Sequence, residues 1–210
     1  MHLLQRGAAP ACLSNYQLAN HLWNDVTPAD KAEIWQELEL MQGQRCAYCE
    51  AQIGNGKRHI EHFQQRARFP QGTFSWRNLF GSCNRPDCCG KHKDQCGPYD
   101  AADLIKPDVD DPDHFFLFVS DGTIAVRKGL SPRDAYRAQE TLRIFNLDEQ
   151  HGPLRQMRKT AVAGYLQTAE EFQAFAEILE PNEWMPALRA ELALIADLPF
   201  TTAIRHILQP

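Results

Sequence analysis

The 210-residue sequence lacks any apolar run approaching the roughly 18–20 residues of a membrane-spanning helix, which excludes a bundle of membrane helices. Its opening stretch, MHLLQRGAAPACL, holds only a few consecutive apolar residues, too short and too polar for a secretory leader. The expectation is a soluble, cytoplasmic protein with no membrane partner. No internal repeat and no low-complexity tract is present, so a solenoid or a disordered linker is not the architecture. An even set of dispersed cysteines is also missing. There are seven, and six of them fall between Cys46 and Cys96, a clustering that points to metal rather than to a disulfide framework.

Charge is unevenly placed. Between Gly43 and Gly97 nine Lys/Arg face four acids, a local balance of +5 within a chain total of −5, so the remainder carries −10. A basic module on an acidic body suits a phosphate-binding surface, because Lys and Arg neutralise phosphate charge. Solvated arginines alone would produce the same count.

Thr27-Pro28-Ala29-Asp30 has the signature of a helix start, with an N-cap hydroxyl, Pro in the first turn and an early acid. Ala32, Ile34, Trp35, Leu38 and Met41 recur at helical spacing until Gly43. Three stretches follow from this reading: an N-terminal helical segment over 1–43, a chemically rich module over 44–98, and a β-hairpin plus helical region over 99–210. Within the module, Arg58–Phe63 and Phe74–Phe80 read as strands. Asp108–Asp113 reads as an acidic, Pro-containing turn. Phe115–Val119 and Thr123–Arg127 flank Ser120-Asp121-Gly122 as a hairpin. Ser131-Pro132 caps a helix ending near Asn146, a second helical run extends from about Gly152 to Leu179, and one or two more are broken by Pro181, Pro186 and Pro199.

Cys46-Ala-Tyr-Cys49 is a CxxC knuckle, able to offer two thiolates to one tetrahedral ion. Alone it also fits a redox pair. A second cluster, Cys83, Cys88 and Cys89, supplies the remaining ligands and favours a structural zinc site. Adjacent cysteines diverge, so the expected set is Cys46, Cys49, Cys83 and Cys89, with Cys88 as substitute for Cys89. Cys96 is an outsider, and Cys12 reads as a lone core thiol.

Between the two cysteine groups stands Arg58-His59-Ile60-Glu61-His62-Phe63, and Asn78 follows sixteen residues after His62 and five before Cys83. On a strand, His59 and Glu61 share one face and His62 takes the other. His62 is the natural general base, because imidazole titrates near neutral pH. His59 is open to a purely structural role.

These positions resemble zinc-stapled HNH endonucleases, in which a CxxC precedes an acid–His pair, an Asn-Leu, and a cysteine five residues after that Asn. Glu61-His62, Asn78-Leu79 and Cys83 fit. The segments CAYCE, HIEHF, WRNLFGSC, CGKHKD, FFLFVSDGTI and RAQETLRIFNL further resemble the PtuB-like group of HNH effectors from Septu and retron-associated anti-phage systems, over roughly residues 40–160. The resemblance implies an α+β fold, a small zinc-stapled ββα-metal (HNH) module embedded in a mainly helical body. It implies cleavage of phosphodiester bonds in DNA, or in tRNA in a retron setting, as a toxic effector. It also implies structural Zn²⁺ and a catalytic Mg²⁺ or other divalent cation at Glu61, with Asn78 holding the loop that orients His62. In relatives a His or Asn directly follows the last zinc cysteine. Gly90 stands there in this chain, beyond a few extra residues between Asn84 and Asp87, so His92 is the expected substitute ligand and Asp94 and Asn84 its rivals. Arg66, Arg68, Arg77, Lys91 and Lys93 are expected to contact phosphates. The implied partners are nucleic acid, a PtuA-like ATPase subunit docked on the acidic helical half and, in a retron setting, a reverse transcriptase with its msDNA. A non-catalytic zinc module that binds nucleic acid or protein is the competing reading, and a CxxC oxidoreductase a third.

Overall fold

The computed structural model describes residues 1–54 and 56–209. The first long helix, α1 (Pro28–Gln42), begins where the cap signature places it. Thr27 accepts the Asp30 backbone N–H on its side chain, and Gly43 ends the helix at φ 64°, where a Cβ would be strained. Ile34, Leu38 and Met41 form its buried stripe. Gln42, also buried, accepts from the Gly81 N–H and donates to the Gly81 carbonyl. Gly81 is needed for this close approach, since a Cβ there would lie 2.6 Å from the Gln42 amide and 2.8 Å from Trp35.

That pairing closes one edge of β2 (Leu79–Cys83), a strand buried along its whole length. Its other edge pairs antiparallel with β1 (Arg58–His62), in a register that sets Glu61 opposite Phe80 and His59 opposite Ser82. The second strand thus starts five residues later than the aromatic run Phe74–Phe80 suggests. Trp76–Asn78 instead forms a 3-10 turn, closed by the Asn78 N–H on the Ser75 carbonyl. A short helix, α2 (Cys89–Gln95), then packs on β2 and on α4.

The remaining chain buttresses this unit. A single-turn helix, α3 (Pro112–Phe115), leads into the expected hairpin of β3 (Phe116–Phe118) and β4 (Ile124–Val126). Helix α4 (Pro132–Phe145) is capped by Ser131 and ended by Asn146 in the left-handed conformation. The long run after Gly152 is two helices, α5 (Pro153–Ala163) and α6 (Leu166–Ile178), parted at Gly164-Tyr165. Helix α7 (Pro181–Leu194) continues through Pro186, which lies near its start and does not break it, and α8 (Thr201–Leu208) closes the chain. Half-buried and buried side chains from all three sequence stretches join one core, in which Tyr48 of the CxxC knuckle stacks on Phe145 of α4 at 4.2 Å. No helix among the described residues is long and apolar enough to cross a membrane.

Candidate metal centre and active site

The knuckle turns back on itself through the Glu50 N–H on the Cys46 carbonyl and the Cys46 N–H on the Ala51 carbonyl, and the Ala47 N–H joins it to Gly81 of β2. Cys83 ends β2, and Cys89 opens α2 at φ 56°. These elements carry the Sγ atoms of Cys46, Cys49, Cys83 and Cys89 to within 4.8 Å of one another, all buried. Four sulfurs around one tetrahedral ion at about 2.3 Å stand about 3.8 Å apart, so this donor set fits a closed, four-coordinate metal. Hydrogen bonds from Cys46, Cys49, Cys88 and Cys89 pull the Cys83 thiol far below its ordinary range, as a site that must shed protons to a cation requires. Cys88, the expected substitute, caps α2 with its Sγ 3.9 Å from that of Cys83 and is not in the four-sulfur group.

Glu50, next to Cys49, adopts φ 62° and is almost fully buried. Burial would raise its carboxyl, but the Met1 amino group, His2 and Thr202 outweigh that and hold it well below the usual range. It ties the knuckle to α8, a role the sequence pattern does not announce.

The acid–His pair sits where β1 ends. His62 is 6% exposed and lies edge-on to Trp23 at 4.5 Å. Its Nε2 donates to the Thr73 carbonyl at 2.9 Å, which leaves Nδ1 as the unprotonated nitrogen. Burial pushes the imidazole down to about 4, against the opposing effect of the Thr73 hydrogen bond, so the ring is neutral near pH 7. Asn78 pins the loop that carries Thr73. Its Oδ1 accepts from the Gln64 N–H at 2.7 Å, and its Nδ2 donates to the carbonyls of Gln64 and Gly72 at 3.0 and 3.1 Å.

Glu61 faces the other side of β1. Its Oε2 lies 2.9 Å from His59 Nε2 and its Oε1 2.6 Å from Lys93 Nζ, a contact without hydrogen-bond alignment. Gly90 lies directly against this carboxylate, where a Cβ would come within 2.3 Å of Oε2.

Two expected residues are placed elsewhere. His92 does not join Glu61: its Nδ1 lies 2.9 Å from the Ile144 carbonyl on α4 and 3.3 Å from Cys96 Sγ. The pair Glu61 and His92 therefore does not fit a shared divalent ion. Lys93 is not a surface phosphate contact. It is fully buried, donating to the His62 carbonyl at 2.8 Å and pairing with Glu61 and with Asp94 at 3.0 Å. Burial opposes its charge, but Glu61 first, then Tyr99 and Asp94, raise its pKa above the ordinary value. Helical geometry explains both placements. Lys93 is one turn past Cys89 and shares its inward face, whereas His92 is rotated about 100° toward α4. Of the rivals, Asp94 is exposed beside Lys93, and Asn84 Oδ1 lies 3.0 Å from His59 Nδ1.

Glu61, His62 and His59 line a cleft of about 800 Å³ together with Arg66, Arg68 and Lys91. Arg77 lies on a separate cleft with Asn78 and Lys106. Sequence reasoning did not single out Trp23, whose 3-10 turn covers His62 from sixty residues away in name only by packing.

The fold and the thiol cluster define a metal-binding module set in a mainly helical scaffold. No family profile matches the chain. Over 123 residues it is 34% identical to Septu protein PtuB of Bacillus thuringiensis, a stretch covering 55% of this chain and 46% of that protein. The chain thus spans less than half the length of the curated relative it matches.

Proposed function

We propose that the chain is a zinc-stapled nuclease of the HNH type, cleaving phosphodiester bonds with His62 as general base. The observation that carries this reading is the Nε2–Thr73 hydrogen bond, which fixes a neutral imidazole with Nδ1 free of a proton. A general base must be unprotonated and held in place before it can take a proton from the attacking water. Asn78 supplies the holding by fixing the loop that presents Thr73. Exposed Arg66, Arg68 and Lys91 around the same cleft supply positive charge for a phosphodiester backbone. The order β1, β2, α2, with the helix packed on the second strand, is what a ββα-metal module requires. Cys46, Cys49, Cys83 and Cys89 would hold zinc, whose chemistry here is structural cross-linking of knuckle, strand and helix.

The similarity to Septu protein PtuB supports a role as the toxic effector of an anti-phage system, acting on DNA or, in a retron setting, tRNA. A PtuA-like ATPase is the partner such a system implies, with a reverse transcriptase and its msDNA in the retron case. The stretch from Leu166 to Leu198 offers it seven acids against one arginine, and exposed Ile178 and Leu194.

The test is cleavage of supercoiled plasmid and of total tRNA by zinc-loaded protein, with a divalent cation and with EDTA. His62→Ala should lose activity by about 100-fold or more while zinc content and thermal midpoint persist. A second reading, a non-catalytic zinc module that binds nucleic acid or protein, is favoured by the Lys93 ammonium, which already neutralises Glu61. It is supported if wild-type protein binds but cuts neither substrate.

A further inference from the structure

The carboxylate of Glu61 is held from one side only. Lys93 grips Oε1 from the interior, and Gly90 leaves the group no room to swing back toward α2. Oε2 is thereby presented toward His59 and the cleft that both residues line. His59 and Glu61 are two positions apart on β1, so the strand's alternation places them on the same face.

The protons of this pair are constrained by Asn84. Its Nδ2 donates to the Gly56 carbonyl at 3.4 Å, which turns Oδ1 toward His59 Nδ1 at 3.0 Å. An amide oxygen only accepts, so Nδ1 carries a proton. In the neutral ring, Nε2 then points a lone pair at a carboxylate oxygen 2.9 Å away. Two lone pairs at that distance repel unless a cation lies between them. Adjacent ligands of a six-coordinate ion at about 2.1 Å stand about 3.0 Å apart, which is the spacing found. A histidine whose second nitrogen donates to a fixed oxygen is also the usual arrangement of a metal-ligating imidazole.

We infer that His59 Nε2 and Glu61 Oε2 form the seat of a second cation, a divalent transition metal such as Mn²⁺ rather than Mg²⁺, with His59 in the place that α2 fails to fill. Imidazole nitrogen suits transition metals, whereas Mg²⁺ prefers an all-oxygen shell. Water completes the coordination from the cleft side. The catalytic use of such an ion rests on the nuclease reading; its binding does not.

The experiment is titration of zinc-loaded full-length protein with Mn²⁺ in the absence of nucleic acid, followed by the electron paramagnetic resonance of free Mn²⁺ and by calorimetry. One Mn²⁺ per chain beyond the zinc is expected. His59→Gln should weaken it by about tenfold or more, His92→Gln should leave it unchanged, and excess Mg²⁺ should displace it poorly. His59 is 21% exposed, so its replacement spares the buried Glu61–Lys93 pair. Mn²⁺ added to wild-type protein should also broaden the His59 ring signals in NMR and not those of His92, a readout that survives any misfolding of the variant. Absence of Mn²⁺ binding would show the pair to be an imidazolium–carboxylate contact, and would overturn the inference. Equal binding by His59→Gln, or loss in His92→Gln, would do the same. Retained Mn²⁺ binding by a protein that cuts nothing would instead count against the nuclease reading alone.

Discussion

At the scale of single residues, the buried Lys93–Glu61 pair dominates the chemistry around the strands. Lys93 is fully buried and Glu61 is 2% exposed, so each charge depends on the other. Removing one partner strands the survivor in a low-dielectric site. Lys93→Met should therefore cost about 3–5 kcal/mol, measured by denaturant unfolding of zinc-loaded protein. The double change Lys93→Met with Glu61→Gln should recover a large part of that loss, and additive losses would show that the two charges are not coupled. The sequence shows a basic residue at this position but not its burial, because a lysine beside Asp94 reads first as surface. The clue lies in the helical step from Cys89, which carries Lys93 to the inward face once α2 is known to start at that cysteine. His92 misleads for the matching reason: its side chain has suitable chemistry but sits on the wrong face of a helix only seven residues long.

At the scale of elements, capped helices and the hairpin were legible because their signals are local. Thr27-Pro28 and Ser131-Pro132 mark two helix starts, and Asn146 ends α4 in the left-handed conformation. The second strand was not legible in its bounds. Phe74, Trp76 and Phe80 suggest a strand by composition, yet tertiary hydrogen bonds to Asn78 bend Trp76–Asn78 into a turn. That turn is what couples the β1–β2 connection to His62. Asn78→Ala leaves the Gln64 N–H and two carbonyls without their partner. It should destabilise the zinc-loaded fold by about 2–4 kcal/mol. Cleavage should fall more steeply than folded population, since Thr73 would no longer be fixed against Nε2. Hydrogen exchange at Gln64 measured beside the cleavage rate separates the two effects. Full activity with faster exchange would show that the loop does not position His62.

At the scale of the whole molecule, the thiol cluster was visible as clustered cysteines, but the way distant segments clamp it was not, since no spacing encodes contacts between residue 50 and residue 202. Helix α8 is fastened twice, to the knuckle through Glu50 and Thr202, and to α3 through Asp113. At the second point Arg205 lies 2.5 Å and His206 3.1 Å from the Asp113 carboxylate, and His206 Nδ1 accepts the Phe118 N–H, so its Nε2 is the donor to Asp113. Burial would raise the Asp113 carboxyl, but these hydrogen bonds and charges prevail and lower it to about 2. A carboxyl depressed in the folded state binds protons more readily when unfolded, so its contribution is complete above its ordinary pKa of 3.8. It is lost as pH falls from about 4 through about 2. The contribution is about 1–2 kcal/mol after allowance for partial exposure. Asp113→Asn should therefore lower stability at pH 6 and make the acid limb of the stability curve shallower, with the two proteins converging near pH 2. Thermal midpoints of wild type and variant across this range, each compared at the same zinc content, measure the difference directly. Parallel curves with a constant offset would assign the loss to packing of α8 and not to the ionised carboxylate.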